Sequence, residues 1–422
     1  MNYQKQEIKE GINLHTIKTN KFKTNLLSVF ITTPLVKENI TKQALISSVL
    51  RRGSKTMPTS EEISITLEEM YGASFDCGID KIGNNHIIKL YLETINDEFL
   101  PEKNDILQKA INTILEIAFN PLVENGTFKE EYVKTEKENL KQIIEGKKDN
   151  KAKYSLDRCI EEMYKGMPYG LYKFGNVEDL EELTAKELYN YYKEMIKQCK
   201  IDIFISGKID EKEIIKIVTE DENIKILDSR SIVQHKMEKL PIKQEPDIVK
   251  ESIDVTQGKL VLGLNIENAN EESKYIALVY NMILGGGANS KLFQNVREKA
   301  SLAYTAGSNY IRQVNNIFIR CGIEIKNFDK ALDIIKKQLE DIKNGEFTDA
   351  DLQNAKQTII STIKFIPDEQ DTEVTYYFGQ ELSNNKVSFE EYIEKVKSVT
   401  KEQIVELAKS IKIDTIYFLT NE

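Results

Sequence analysis

Three short segments recur in the same order along this chain, and the repetition constrains its fold more than any other feature. An Asn-Asn pair precedes an alternating strand, an Asn-Gly pair precedes a charged helix, and Lys-Ile-Asp opens an apolar strand. The matched segments are Asn84-Asn85 and Asn315-Asn316, Asn125-Gly126 and Asn344-Gly345, and Lys200-Ile201-Asp202 and Lys412-Ile413-Asp414. Their separation falls from 231 to 212 residues along the chain. This order predicts a duplicated architecture whose second copy has shorter loops or helices.

In each copy the hydrophobic periodicity predicts a strand, two helices, a second strand, several long helices and a final strand. The predicted strands are 25–33, 87–92 and 203–206, then 259–266, 317–325 and 415–419. The predicted helices are 41–50, 60–71 with Ser60 as N-cap, 101–118, 129–145, 154–164 and 185–198, then 272–284, 290–299, 328–343, 348–363 and 401–410. Hairpin-like returns between strands favour α+β domains, each with a mixed or antiparallel sheet packed with helices, over a doubly wound parallel sheet.

A polar stretch separates the two copies. Residues 224–249 contain Pro241 and Pro246 and show no hydrophobic periodicity, which is typical of a linker. The sequence therefore predicts an N-terminal domain over residues 1–223, a linker over 224–249 and a C-terminal domain over 250–422.

The composition excludes several classes of function. The chain has 58 basic and 68 acidic residues, a net charge of −10, which argues against nucleic-acid binding. No apolar run approaches the roughly 18 residues that cross a bilayer, and residues 1–11 are charged without an apolar core, so neither a membrane span nor a signal peptide is expected. Four cysteines scattered singly suggest reduced thiols. Together these features predict a cytoplasmic protein.

Residues that usually carry catalysis are scarce. The three histidines, His15, His86 and His235, share no local spacing, which argues against a histidine-based zinc site. Ser47-Ser48 lack the GxSxG context of a nucleophile. The triglycine at 285–287 follows the predicted helix 272–284, so it is predicted to form a helix C-cap and a turn and not a phosphate-binding loop.

Arg297 and Tyr304 are the more informative pair. They flank a stretch in which a predicted helix gives way to strand or loop. A guanidinium and a phenol hydroxyl can both donate to a peptide carbonyl or to the oxyanion of amide hydrolysis. Their spacing alone leaves two interpretations open, a donor pair at a site or an ordinary surface arginine beside a half-buried tyrosine.

Longer segments resemble a known family. The duplicated layout together with residues 284–293 and 296–304 is similar to the second half of insulinase-type metallopeptidases, the pitrilysin and mitochondrial-processing-peptidase relatives, and the resemblance covers nearly the whole chain. It implies that each half is an α+β domain and that two such pairs close around an extended peptide. It also implies a zinc site in the first domain, with H-x-x-E-H on a helix and a distant glutamate as third ligand.

The resemblance also implies that the zinc site has been lost. Ala44 and Ser48 stand where the histidine ligands belong, and Ser47 stands where the general base belongs. Further along, Glu136 matches the family's acidic helix, but Ile143 occupies the position of the third ligand. The chain is therefore expected to hold no metal and no other cofactor.

Residues 70–75, 136–140 and 154–169 most resemble a bacterial non-catalytic partner subunit, of the kind associated with modification of elongation factor P. This implies a subunit that is inactive alone and pairs with a zinc-bearing homologue as a zinc-dependent endopeptidase heterodimer, with Arg297 and Tyr304 binding the peptide substrate. Two alternatives stay open, a non-proteolytic peptide- or protein-binding scaffold and an autonomous zinc peptidase with a relocated site. Homodimers are also compatible with the duplication.

Overall fold

The computed structural model describes residues 2–102, 104–230, 232, 239–267 and 269–421, so His235 lies outside the described residues. The strands are β1 (Tyr3–Lys9), β2 (Ile12–Lys18), β3 (Thr24–Pro34), β4 (Ser74–Ile82), β5 (Asn85–Ile95), β6 (Val123–Glu124), β7 (Thr127–Phe128), β8 (Lys200–Gly207), β9 (Asp247–Ser252), β10 (Gly258–Ile266), β11 (Ala303–Ile311), β12 (Asn316–Ile323) and β13 (Ile411–Thr420).

The α-helices are α1 (Lys37–Val49), α2 (Ser60–Glu69), α3 (Ile106–Phe119), α4 (Glu130–Glu145), α5 (Lys151–Met163), α6 (Val177–Glu182), α7 (Ala185–Gln198), α8 (Glu211–Glu220), α9 (Glu222–Lys225), α10 (Ser273–Gly285), α11 (Phe328–Lys343), α12 (Asp349–Phe365), α13 (Gln370–Ser383), α14 (Phe389–Ser398) and α15 (Lys401–Lys409). A π-helix spans Phe293–Lys299, where an α-helix over 290–299 was predicted. None of the described helices is long and apolar enough to cross a membrane.

The strand order confirms the duplication and the α+β class. One sheet runs β1-β2-β8-β3-β5-β4, and the other runs β11-β12-β10-β13-β9. Read from the opposite end, the second order repeats the first without β1. The pairing directions repeat as well, since β2–β8 and β9–β13 are parallel, whereas β3 and β10 pair antiparallel with both of their neighbours. Both sheets are therefore mixed.

The chain divides into two compact units. Unit 1 comprises Met1–Gly146, Leu171–Lys236 and Pro367–Leu382, and unit 2 comprises Lys147–Gly170, Met237–Ile366 and Ser383–Glu422. Unit 1 therefore contains α13 from the second copy, and unit 2 contains α5 from the first. The units thus differ from the consecutive segments 1–223 and 250–422 by one exchanged helix each.

The exchanged helix explains the burial pattern of the central strands in unit 1. Nine consecutive residues of β3 are buried, because one face of the sheet meets the main helical layer and the other face meets α13. On the α13 side, Phe30 stacks on Phe378 with ring centroids 3.9 Å apart, and Val374 is fully buried beside them. In unit 2, α5 covers the corresponding face through Cys159 and Met163, and together with the C-cap residue Tyr164 these side chains pack with residues of β10, β12 and β13.

Several local predictions need correction. Thr59, and not Ser60, caps α2, because Thr59 forms a capping box with Glu62. The predicted linker 224–249 includes regular structure at both ends, since α9 continues to Lys225 and β9 begins at Asp247. The elements that were not predicted are strands β1, β2, β4, β6, β7, β9 and β11 and helices α6, α8, α9, α13 and α14.

Candidate functional site

The helix that should carry a zinc motif is α1, and its inward face is part of the hydrophobic core. Ala44 is 1% exposed and packs in the main cluster of unit 1. Ser47 is also buried, and its hydroxyl donates to the Ala44 carbonyl at 2.8 Å. Ser48 is only partly buried. These side chains offer one methyl and two hydroxyls, of which the Ser47 hydroxyl is already engaged by the helix backbone.

The acidic helix α4 supplies the remaining positions. Ile143 is 45% exposed and has no ligating atom. Glu136 is buried, and its Oε1 accepts from Arg52, which follows α1 in a 3₁₀ turn, and from Asn139 Nδ2 at 3.2 Å. A guanidinium thus supplies the positive charge next to this carboxylate. Sequence reasoning missed the role of Arg52, because the partners lie 84 residues apart.

No group of three or more His, Cys, Asp or Glu residues in the described part of the chain could hold a metal ion. Two of the histidines are structural. His15 Nε2 lies 2.9 Å from Asp202 Oδ1, and His86 Nε2 lies 2.8 Å from the Lys173 carbonyl. Burial lowers the pKa of His86 to about 4, so this imidazole stays neutral near pH 7.

The cysteines do not provide a nucleophile either. Cys77, Cys159, Cys199 and Cys321 are all free and buried. Burial raises the pKa of Cys199 to about 12 and that of Cys321 to about 12. Because the thiolate is the reactive form, these thiols are expected to be inert at neutral pH.

Arg297 lies in the π-helix, and Tyr304 lies just beyond it. The Arg297 guanidinium stacks on the Phe293 ring, 4.5 Å from its centroid, and Arg297 Nε is 3.6 Å from a Glu298 carboxylate oxygen. Both members of this ion pair are about half exposed, so the pair leaves the guanidinium accessible. π-Helical turns are frequent at functional sites.

Tyr304 is presented by a β-bulge. In the pairing of β11 with β12, Ala303 faces Ile323 and Thr305 faces Gly322, which leaves Tyr304 without a partner. Its side chain is 67% exposed. The preceding Ser301 adopts a left-handed conformation, with φ of 52°. A π-helix, a left-handed residue and a bulge therefore follow one another between the two predicted site residues, and such irregularities re-aim side chains.

The triglycine ends α10, as predicted. Gly286 is the C-cap residue of that helix. A Cβ on Gly285 would lie 2.4 Å from the Ser308 amide nitrogen, so only glycine allows α10 to approach β11 this closely. This contact fixes the start of the segment that leads into the π-helix.

Comparison with known proteins places this geometry in a family. Residues 182–359 match the family described as "Peptidase M16 inactive domain". Over 415 residues, the chain is 34% identical to the "Probable inactive metalloprotease YmfF" of Bacillus subtilis, an alignment that covers 97% of this chain and 96% of that protein. The chain belongs to the M16, or insulinase-type, peptidase family.

A further relative and two solved structures are also similar to this chain. This M16 chain is 26% identical over 322 residues to an uncharacterized zinc protease of Rickettsia felis, covering 74% of the chain and 71% of that protein. A conserved protein from Enterococcus faecalis superposes over 100% of this chain and 99% of its own with a TM-score of 0.91 and 31% identity. An M16 inactive domain from Pseudomonas fluorescens superposes over 100% of this chain and 99% of its own with a TM-score of 0.81 at 18% identity, which supports the fold.

These findings confirm the predicted family and the predicted α+β duplication. The match to an inactive domain, the similarity to a probable inactive metalloprotease and the residues at the motif positions agree. The protein is a catalytically deficient homologue of the M16 metallopeptidases.

Proposed function

We propose that this M16 chain is the non-catalytic subunit of a two-chain peptidase, in which a zinc-bearing M16 homologue supplies the metal and the general base. The observation that carries the proposal is an asymmetry within the chain. The four metal-motif positions hold Ala44, Ser47, Ser48 and Ile143, whereas the second half presents Arg297 and Tyr304 as accessible donors. A subunit that binds peptide but does not cut it is expected to lack the metal ligands and to retain the hydrogen-bond donors that contact the peptide.

In this proposal Arg297 and Tyr304 bind the peptide substrate. A guanidinium and a phenol hydroxyl can donate to the scissile carbonyl as negative charge develops on its oxygen. The stacking of Arg297 on Phe293 holds the guanidinium plane without using its hydrogen-bond donors. No zinc is assigned to this chain, and the partner's ion would polarise the carbonyl.

The proposal also keeps the predicted cytoplasmic location. Its support is the set of four free, buried cysteines, which suits a reducing compartment.

The test is co-expression with a homologue from the same genome that has an intact H-x-x-E-H motif. Co-purification of the two chains, zinc that copurifies only with the partner, and cleavage of a quenched fluorescent peptide by the pair alone are expected. Arg297→Ala should lower kcat on the order of 100-fold, and Tyr304→Phe should lower it in the same direction.

Lys299→Ala is the matched control, because it removes a positive charge from an exposed position of the same π-helix, where the Lys299 ammonium donates to Asn295 Oδ1 at 3.1 Å. Its cleavage rate should stay within about twofold of the unaltered pair. Equal cleavage rates for the Arg297→Ala and Lys299→Ala variants would contradict the substrate-binding role proposed for Arg297. Failure of the chains to associate would favour a non-proteolytic scaffold, and zinc bound by this chain alone would favour an autonomous peptidase.

A further inference from the structure

A groove of about 390 Å³ opens on the sheet of unit 2, and the charged residues along it are all basic. It is bordered by β10, β11 and β12, by the C-terminal end of α10 and by the start of α5. Among the described residues that line it, Lys259 and Arg320 are cationic and none is Asp or Glu. The groove therefore carries local positive charge on a chain whose net charge is −10.

Strand register places the two cations on one face of the sheet. Lys259 pairs with Gly322, and Val261 pairs with Arg320. Val261 and Phe318 both pack toward α5, and side chains two residues apart on a strand share a face, so Lys259 and Arg320 point the same way. Diagonal neighbours of this kind have backbones about 7–8 Å apart, which lets two long side chains reach one ligand.

Both cations have only neutral partners among the described residues. Lys259 Nζ donates to the side-chain oxygen of Gln257, and burial lowers the pKa of this ammonium group. In the amide orientation that satisfies both of its polar groups, Asn309 accepts from Arg320 Nη2 at 3.2 Å and donates to the Ser308 carbonyl at 2.9 Å. A partly desolvated ammonium beside an oriented guanidinium favours an anionic ligand.

Glycine keeps the floor of the groove open. Gly307 pairs with Arg320 across β11 and β12, and Gly322 pairs with both Lys259 and Thr305. A Cβ on Gly322 would lie 2.8 Å from Gln257 Oε1 and 3.1 Å from Thr305 Oγ1, so a side chain there would displace the groups that hold Lys259. The glycines leave room beside the cations, and the Thr305 hydroxyl adds a neutral donor.

We infer that this groove binds the side-chain carboxylate of an acidic residue in a peptide, so that the subunit selects substrates containing Glu or Asp. The inference rests on the proposed function, because it assigns a substrate class to the peptide that the two-chain peptidase would process. A guanidinium matches a planar carboxylate in a two-point contact, and the volume is within the range of ligand-binding pockets. The excess negative charge elsewhere on the chain disfavours acidic peptides, so their capture depends on this groove.

The test measures binding of a ten-residue peptide with alternating Glu residues and a neutral dye to the full chain alone, by fluorescence anisotropy at 50 mM NaCl. A peptide of the same sequence with Gln in place of Glu is the reference. The acidic peptide should bind at least about tenfold more tightly than the reference peptide, and Arg320→Gln should weaken binding of the acidic peptide about tenfold. Arg320 is exposed, so its replacement leaves the core intact.

Lys259→Gln is the second variant and should weaken binding in the same direction. Lys330→Gln on α11 is the control, because it makes the same charge change at an exposed position outside the groove, and affinity should change less than about twofold. Equal binding of the two peptides, or an acidic preference that survives both groove substitutions, would overturn the inference. Because the chain is tested without a partner, this result is separate from whether the two-chain peptidase forms.

Discussion

Replacing Asp202 with asparagine tests the buried polar network that links β2 to β8 in unit 1. The Asp202 carboxylate is fully buried. Its Oδ1 accepts from Asn13 Nδ2 at 3.0 Å and lies 2.9 Å from His15 Nε2, and its Oδ2 lies 2.9 Å from Lys200 Nζ. The asparagine side chain has nearly the same shape as that of aspartate, but it carries no charge and has an amide nitrogen in place of one carboxylate oxygen. The variant therefore leaves the partly buried Lys200 ammonium without its counter-charge and His15 Nε2 without its carboxylate partner.

The free-energy change can be sized from these contacts. Breaking a buried ion pair by removing one partner destabilises proteins by about 3–5 kcal/mol. Lys200 is partly exposed and can rehydrate, so we expect the lower end, about 3 kcal/mol of unfolding free energy.

The same network sets a pH dependence. Hydrogen bonding and charge from His15 and Lys200 outweigh desolvation and lower the pKa of Asp202 from 3.8 to about 2. Because the folded-state pKa is depressed, the carboxylate stabilises the fold above the unfolded value and loses this contribution as the pH falls toward 2. The contribution amounts to about 2 kcal/mol, of which about half should be gone by pH 3.

The assay is urea unfolding followed by far-ultraviolet circular dichroism, because the chain has no tryptophan. The gap in unfolding free energy between the unaltered chain and Asp202→Asn should be about 3 kcal/mol at pH 7 and about 1 kcal/mol smaller at pH 3. Asp333→Asn, at an exposed position on α11, is the control and should change stability by less than about 0.5 kcal/mol. A gap below about 1 kcal/mol at pH 7, or a gap that widens in acid, would refute the reasoning.

Two further predictions concern glycines. Gly285→Ala should destabilise unit 2 by about 2 kcal/mol, because its Cβ would lie 2.4 Å from the Ser308 amide nitrogen, whereas Gly287→Ala meets nothing within 4 Å and should be nearly neutral. Equal melting temperatures for these two variants would contradict the assigned contact. Gly379 lies inside α13, and a Cβ added there would meet no atom within 4 Å, so Gly379→Ala should raise the free energy of unfolding by about 0.5–1 kcal/mol in urea unfolding. A lower free energy of unfolding would show that α13 is packed more tightly at this position.

The duplication was predictable because its markers are local. Gly126 and Gly345, the equivalent residues of the two Asn-Gly pairs, both adopt left-handed conformations, with φ of 77° and 76°, as turn glycines commonly do. The Lys-Ile-Asp segments open equivalent strands, β8 and β13. Turn chemistry and strand starts depend on a few adjacent residues, so they leave a readable signal.

The edge strands were missed for a physical reason. In β1 and β9 every residue is exposed or half-buried, because an edge strand meets little of the core. The exchanged helices were beyond sequence reasoning in a different way. The apolar side chains of α5 indicate that one face is buried, but not which of two similar sheets it covers.

The sequence indicated the residues of the candidate site but not the backbone that presents them. The resemblance to the insulinase-type family identifies positions 44, 47, 48 and 143, and the residue types there show that metal ligands are absent. The π-helix that contains Arg297 and the bulge at Tyr304 could not be predicted, because each depends on a single extra residue in a hydrogen-bond ladder. The charged groove was missed because Lys259 and Arg320 meet only through strand register.

The reciprocal placement of α5 and α13 has a consequence for how the protein is made on the ribosome. The sheet of unit 1 is encoded by residue 207, yet the helix that covers its second face ends near residue 383. The nascent polypeptide therefore carries an uncovered apolar sheet surface while residues 208–383 are being added, a state that attracts chaperones. If the gene were split between the two copies, each sheet would be made on a different polypeptide from its covering helix. The exchange of helices therefore favours keeping both copies in one reading frame.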